Sequence, residues 1–234
     1  MTERVRSSSP RPAIADHAII EADGLSQQAA AARLRLSQPY YSQLEAGTRP
    51  LPAALAPRVV TRLGASPCVL PLPDLTSAWR PIPQNRLACA LAALGYAPLA
   101  HLGRTATRMN PAVVIAGALA HADLDVRLVE ALPFVLAQFP ELDSAWLAAQ
   151  CRLLDLQNRL GFLAGLAQCP GLEAPHLSRL LPELERSRLA REDTLCRASM
   201  PAAERDWVRR NRPPEAVHWG LLTTLTREQL PDVS

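Results

Sequence analysis

Two serines, Ser26 and Ser37, stand directly before two short runs of helical spacing, and this arrangement constrains the chain more than any other feature. A serine ahead of a helix offers an oxygen to amide protons that the first turn leaves unpaired. Ser26 is placed to open a helix over Gln27 to Leu34, and Ser37 another over Gln38 to about Ala46, with only Arg35 and Leu36 between. The spacing predicts a helix, a tight turn and a helix. Ala30 and Leu34 share one face of the first, Tyr41 and Leu44 one face of the second, so the pair can close over a small core with Leu25 and Leu36. Ala31 is small at the point where the two helices must cross closely.

What remains on the outer face of the second helix is polar: Gln38, Ser42 and Gln43, flanked by Arg35 and Arg49. The major groove of DNA admits one α-helix and displays base edges that a glutamine amide can pair with bidentately, best at adenine. A helix N-terminus supplies unpaired amides and a positive dipole end suited to phosphate. Gln27, at the start of the preceding helix, is therefore placed for a contact to the nucleic-acid backbone.

At "LSQ…ARL…LSQPYYSQLEAG…RPLP" the chain resembles the Cro/cI-type (xenobiotic-response-element type) helix-turn-helix regulators, over about residues 13 to 64. The resemblance implies a lambda-repressor-like helical domain that binds double-stranded operator DNA. It implies that Gln38, Pro39 and Gln43 face bases from the recognition helix, with Glu45, Ala46 and Gly47 on its closing turn; Ser42, on the same polar face, is expected to join the base contacts. It implies phosphate contacts from Gln27 and Arg49, and Arg35 is expected to join them.

Three positions depart from the family pattern. Arg35 occupies the turn position usually held by glycine, where a left-handed conformation costs roughly 1 kcal/mol. Pro39 replaces a commonly polar reader; the first helical turn accepts it because its missing amide had no partner there, but it offers only apolar contact, such as with a thymine methyl. Pro57 lies inside "LPAALAPRVVTRLG", the expected fourth helix, which is predicted to begin late or bend there.

Charge supports a polyanionic partner. Residues 1 to 66 hold eight arginines against five acidic residues, which leaves 17 of each for the remainder, so the whole net charge of +3 sits beside the motif. The chain contains no lysine. It has no apolar run approaching the roughly 18 to 20 residues that cross a bilayer, and "MTERVRSSSPRP" lacks a signal-peptide core, so no membrane association and a cytoplasmic location are expected. Cys68, Cys89, Cys151, Cys169 and Cys196 are scattered, without metal-ligand spacing, and read as free thiols.

Residues 1 to 11 are expected to form a disordered arm, with a helix over Ala13 to Ala22 following, and 12 to 66 to form the helix-turn-helix domain. Five prolines between 64 and 83 predict a semi-rigid linker, placed at 67 to 83. Residues 84 to 234 read as an all-helical region, so the fold class is all-α: a helix-turn-helix domain plus a C-terminal helical bundle. Helices are expected around Leu87 to Leu94, Val113 to Leu119 and Val126 to Phe139, through the stripe Leu153, Leu156, Leu160 and Leu163, over "PHLSRLLPELERSRLAREDTLC", and over "AAERDWVRRN" closed by "RPP". "NPAVVIAGALAHADLDVRLVEALPFVLAQFP" looks like one HEAT-like helix pair, in a single copy.

The second region offers no catalytic pattern. "ERSRLARED" has the spacing of a salt-bridged helical face, and His101, His121, His176 and His218 are isolated, outside any metal, triad or phosphate-loop motif. No enzymatic activity and no cofactor are expected. Its closing arginines and tryptophans suit either a partner surface or the closure of a helical core, and it is similar only to the tails of uncharacterised bacterial regulators of this type. One recognition helix reads few bases, so such modules pair on half-sites roughly 34 Å apart, and the C-terminal region is the candidate for holding a homodimer. The expectation is a sequence-specific DNA-binding regulator, a dimeric repressor. The alternative is an antitoxin that represses its own operon and binds a toxin through its C-terminal region, and a third reading makes that region a small-molecule effector sensor.

Overall fold

The computed structural model describes residues 24–105, 108–168 and 174–231. The expected arm over 1 to 11 and the expected helix over Ala13 to Ala22 lie outside the described residues, as does Cys169. The chain is mostly helical, with an N-terminal helix-turn-helix domain and a helical C-terminal region, as the sequence predicts.

The N-terminal core is built from α1 (Gln27–Leu34), α2 (Gln38–Glu45) and α3 (Ala56–Leu63). Ala30, Ala31, Leu34, Tyr41 and Leu44 are buried in one cluster with Leu55, just ahead of the third helix, and with Val59 and Leu63 on it, and Leu25 and Leu36 pack against it. Pro57 sits in the first turn of α3, which begins only at Ala56 after the turn at 53 to 55. That late start follows from the ring: a proline fits a first turn but would break an interior one.

The C-terminal region comprises α4 (Gln84–Ala93), α5 (Pro111–Leu119), α6 (Val126–Gln138), α7 (Ser144–Leu153), α8 (Gln157–Ala167), α9 (Pro175–Arg186), α10 (Ala202–Asn211) and α11 (Pro214–His218). From α4 to α9 each helix packs on the next but one: α4, α6 and α8 adjoin in series, and so do α5, α7 and α9. The α5/α6 pair legible in the sequence is thus one unit of a two-layered stack whose other units carry no repeat in sequence.

Two sequence expectations are corrected here. The leucine stripe 153 to 163 does not lie on one helix: α7 ends at Leu153, the chain turns through Asp155 at φ 56°, and α8 begins at Gln157. Leu153 is accordingly half exposed while Leu160 and Leu163 are buried. The run from Pro175 is helical only to Arg186, after which 187 to 196 passes through turns and bends, and Asp193–Thr194 (β1) pairs in parallel with Leu221–Leu222 (β2).

What holds that non-helical course is α8, which is buried on every face, its first turn included. Gln157 Nε2 donates to the Ser187 carbonyl at 3.0 Å, and Asn158 Nδ2 donates to the Leu189 and Trp219 carbonyls at 2.9 and 2.8 Å. Arg159 donates through Nε and Nη2 to both Asp193 oxygens and through Nη1 to the Leu119 and His121 carbonyls. These three consecutive side chains satisfy backbone groups that would otherwise be buried without partners. Trp219 then lies against the bare face of Gly161.

The proline-rich segment expected as a linker runs along this second region and is fastened to it. Thr76 exchanges two hydrogen bonds with the buried Gln150 amide, the Pro73 carbonyl accepts from Trp146 Nε1, and Ile82 occupies the space above Gly117. Asn110 caps α5 through Ala112 N–H and donates to the Cys68 and Leu70 carbonyls, while Arg108 Nη1 donates to Val60 O at the end of α3. Ala56, Val60 and Leu70 form a small buried cluster between the two regions.

Cys151 and Cys196 are buried free thiols and Cys68 and Cys89 are half-buried. Burial pushes the Cys151 thiol up to about 12. No group of His, Cys, Asp and Glu among the described residues is arranged to hold a metal ion. No helix among them is long and apolar enough to cross a membrane.

Candidate nucleic-acid interface

Ser26 caps α1 as its position predicts, its Oγ accepting from the Ala29 amide at 3.2 Å. At the other end Arg35 adopts the left-handed conformation, φ 57° and ψ 47°, and Leu36 N–H reaches back to Ala31 O at 2.9 Å. The turn therefore keeps the geometry that glycine usually supplies, at a cost of roughly 1 kcal/mol for a residue with a Cβ. Two arginines of α3 close the same helix end: Arg58 donates to the Leu34 carbonyl, and Arg62 Nη1 to the Arg33 carbonyl at 2.8 Å. Cations at a helix C-terminus meet both its free carbonyls and its negative dipole end. That support opposes the strain at Arg35.

Ser37 takes the extended conformation of a cap before α2, yet its hydroxyl caps nothing. Pro39, two residues on, removes one of the two amides that such a cap can bond, leaving only that of Tyr40.

The two faces of α2 differ as the sequence predicts. Tyr41 and Leu44 are buried; Gln38, Pro39 and Gln43 are exposed, with Ser42 half-buried between them. Gln38 and Ser42, and Pro39 and Gln43, are each four residues apart, so the four form two adjacent rows on one surface. The side chains of Gln38, Ser42 and Gln43 make no hydrogen bond to any described residue. Arg35 precedes this helix and Arg49 follows it, both exposed and neither paired with a carboxylate among the described residues.

Gln27 is engaged within the domain, Nε2 donating to Glu45 Oε2 at 2.6 Å. Burial raises the Tyr41 phenol above its ordinary value, and the Glu45 carboxylate, to which it also hydrogen-bonds, raises it further. Glu45 thus ties the start of α1 to the end of α2. Gln27 retains a second amide proton and stays exposed.

Beyond α2, Gly47 turns the chain at φ 67°, and Thr48 Oγ1 and Arg49 N–H both donate to the Gln43 carbonyl, at 3.0 and 3.1 Å. This folds the loop back on the helix end and sets the Arg49 guanidinium over the Tyr40 ring, 4.6 Å from its centroid. Tyr40, Arg58 and Arg62 were not singled out by sequence reasoning. The last two act on carbonyls 24 and 29 residues away, which no local pattern encodes.

Where the two regions meet, an open groove of about 410 Å³ is bordered by Gly64, Ser66, Leu94, Arg108, Phe139 and Glu141.

Residues 4–72 match a family described as a helix-turn-helix domain. No curated protein and no solved structure was found to match the chain.

Proposed function

We propose that this chain, whose residues 4–72 match a helix-turn-helix domain of Cro/cI type, is a sequence-specific DNA-binding transcriptional regulator that acts as a dimeric repressor. The observation that carries the reading is the state of α2: its inner face is fixed by Tyr41 and Leu44, while the outer-face side chains of Gln38, Pro39, Ser42 and Gln43 bond to none of the described residues. Side chains held on a rigid helix with free amide and hydroxyl groups are what base-edge readout in the major groove requires. In this reading Gln38 and Gln43 pair with bases, Pro39 supplies apolar contact and Ser42 a hydroxyl between them. Arg35 and Arg49 take phosphates at the two ends of the helix, and Gln27 takes one with its remaining amide proton.

The C-terminal stack, residues 84 to 234, is proposed to hold two copies together, because one helix of eight residues contacts too few bases for high specificity. The test is selection of bound fragments from the source genome by the purified full-length protein, followed by titration of the best fragment against salt. Enrichment of an inverted repeat with a steep salt dependence is expected. Enrichment of a single unrepeated site refutes the dimer, and no enrichment at all refutes specific readout by the protein alone.

A further inference from the structure

We propose that Tyr40 is a positioning residue for DNA binding: its ring holds the Arg49 guanidinium beside the Gln43 end of the recognition helix, aimed at the nucleic-acid backbone. The inference rests on the DNA-binding reading above and assigns a role to a residue which that reading leaves without one.

Four observations converge on it. Tyr40 is the third residue of α2, three before Gln43, so its side chain lies along the helix flank that borders the base-facing rows. It is half-buried, with its ring packed against the domain core. Arg49 is tethered to the same place from the other side, its amide donating to the Gln43 carbonyl at 3.1 Å and its guanidinium lying 4.6 Å from the Tyr40 centroid. Finally, no carboxylate or carbonyl among the described residues takes the Arg49 side chain, in contrast to Arg58 and Arg62, which donate to α1 carbonyls.

A guanidinium stacked on a ring keeps its in-plane N–H donors free, and those are the groups that a phosphate takes in bidentate fashion. An unstacked arginine on an exposed loop loses rotamer freedom on binding, and the ring removes part of that loss beforehand. Tyr40 therefore acts on affinity through Arg49 and contributes nothing to base discrimination.

The test uses the full-length protein with Tyr40→Phe, Tyr40→Leu, Arg49→Ala and the double variant Tyr40→Leu/Arg49→Ala. Binding is measured against salt for the genomic fragment that the wild type selects and for a random duplex of the same length. The ring-current shift of the Arg49 side-chain protons is read by NMR in the free protein. Tyr40→Phe keeps the face and is expected to keep affinity, salt slope and the upfield Arg49 resonances. Tyr40→Leu keeps apolar packing without the face; it is expected to lose the ring shift and to weaken both duplexes alike by about two- to fivefold, with the salt slope reduced toward that of Arg49→Ala. In the Arg49→Ala background the same change should add less than twofold.

The proposal is overturned if Tyr40→Leu weakens binding equally with and without Arg49, if it weakens only the selected fragment, or if Arg49 shows no ring shift in the wild type. Binding of neither duplex by a wild type with its ring shift intact refutes the DNA-binding reading, and this role with it, while showing that the stack itself exists.

Discussion

Substitution of Gly161 by alanine tests the packing of the C-terminal core at one point. An alanine Cβ there would stand 2.3, 2.4 and 2.5 Å from Cη2, Cζ3 and Cζ2 of Trp219, against an ordinary carbon contact of roughly 3.5–4.0 Å. The indole would have to retreat by more than about 1 Å, and it is a rigid ring on a residue whose backbone carbonyl is held by Asn158 Nδ2 at 2.8 Å. Expelling the ring forfeits the burial of roughly 150–250 Å², about 4–6 kcal/mol at 25 cal/mol/Å². Straining the core in place costs about 1–3 kcal/mol, so strain is the cheaper course. Replacing glycine in a helix returns up to about 1 kcal/mol of propensity, which leaves a net loss near 1 kcal/mol. For a chain of this size that lowers the melting temperature by roughly 2–4 °C. The internal control is Gly165→Ala, one turn along the same helix, where the added Cβ meets nothing within 4 Å. It should gain about 0.5–1 kcal/mol from propensity alone. Thermal and denaturant unfolding followed by circular dichroism would show the two substitutions moving in opposite directions. A Gly161→Ala protein as stable as the wild type, or both variants shifting together, refutes the seating of Trp219.

Gln43→Ala is expected to lower affinity for the selected operator by about 1–3 kcal/mol while leaving binding to random duplex nearly unchanged; equal losses in both titrations sink its role as a base reader. Arg35→Gly should separate fold from function: relief of the left-handed strain, roughly 1 kcal/mol less the entropy glycine adds to the unfolded chain, keeps stability level or slightly higher, while loss of the guanidinium weakens DNA binding and flattens its salt dependence. A drop in stability with unchanged DNA binding contradicts both halves. The Ser199 hydroxyl and amide hold the Asp123 carboxyl below its ordinary value of 3.8. A depressed carboxylate contributes stability that is fully present above its unfolded value and lost as pH falls through the folded one. Asp123→Asn should therefore lessen the fall in melting temperature between neutral pH and about pH 3, and an unaltered acid profile counts against the Ser199 contact.

The helix-turn-helix was legible in sequence because what defines it is local. Caps, four-residue apolar steps and the Gly47 turn all act within a few residues, and α1 and α2 fall within a residue of the predicted bounds. What the sequence could not display are contacts made across distance. Arg58 and Arg62 look like ordinary surface cations of α3 until their carbonyl partners on α1 are seen. The leucine stripe from 153 continues a helical rhythm straight through a chain reversal, because Asp155 adopts a left-handed conformation that aspartate tolerates better than most residues. Gln157, Asn158 and Arg159 are polar types with no local sign of burial, yet they are buried, since the groups that take their hydrogen bonds lie 30 to 61 residues away in sequence. For the interface, residue types and their shared face were legible; the Glu45 tie to Gln27 and the stack of Arg49 on Tyr40 depend on how the loop folds back.

Arg108 and Asn110 fasten the end of the DNA-binding domain to the helical stack, and buried Ala56, Val60 and Leu70 fill the joint. A reading head so joined takes its heading from the body that carries it. For two copies on one duplex, this turns the spacer between half-sites into a measured quantity. Each inserted base pair rotates one half-site by roughly 34° about the DNA axis, at about 10.5 base pairs per turn. A swivelling head would absorb that rotation, whereas a fastened one passes it into the protein as torsion. Operators would then be sorted by phase as well as by letters, the protein serving as a protractor whose setting is stored at the joint, far from any base.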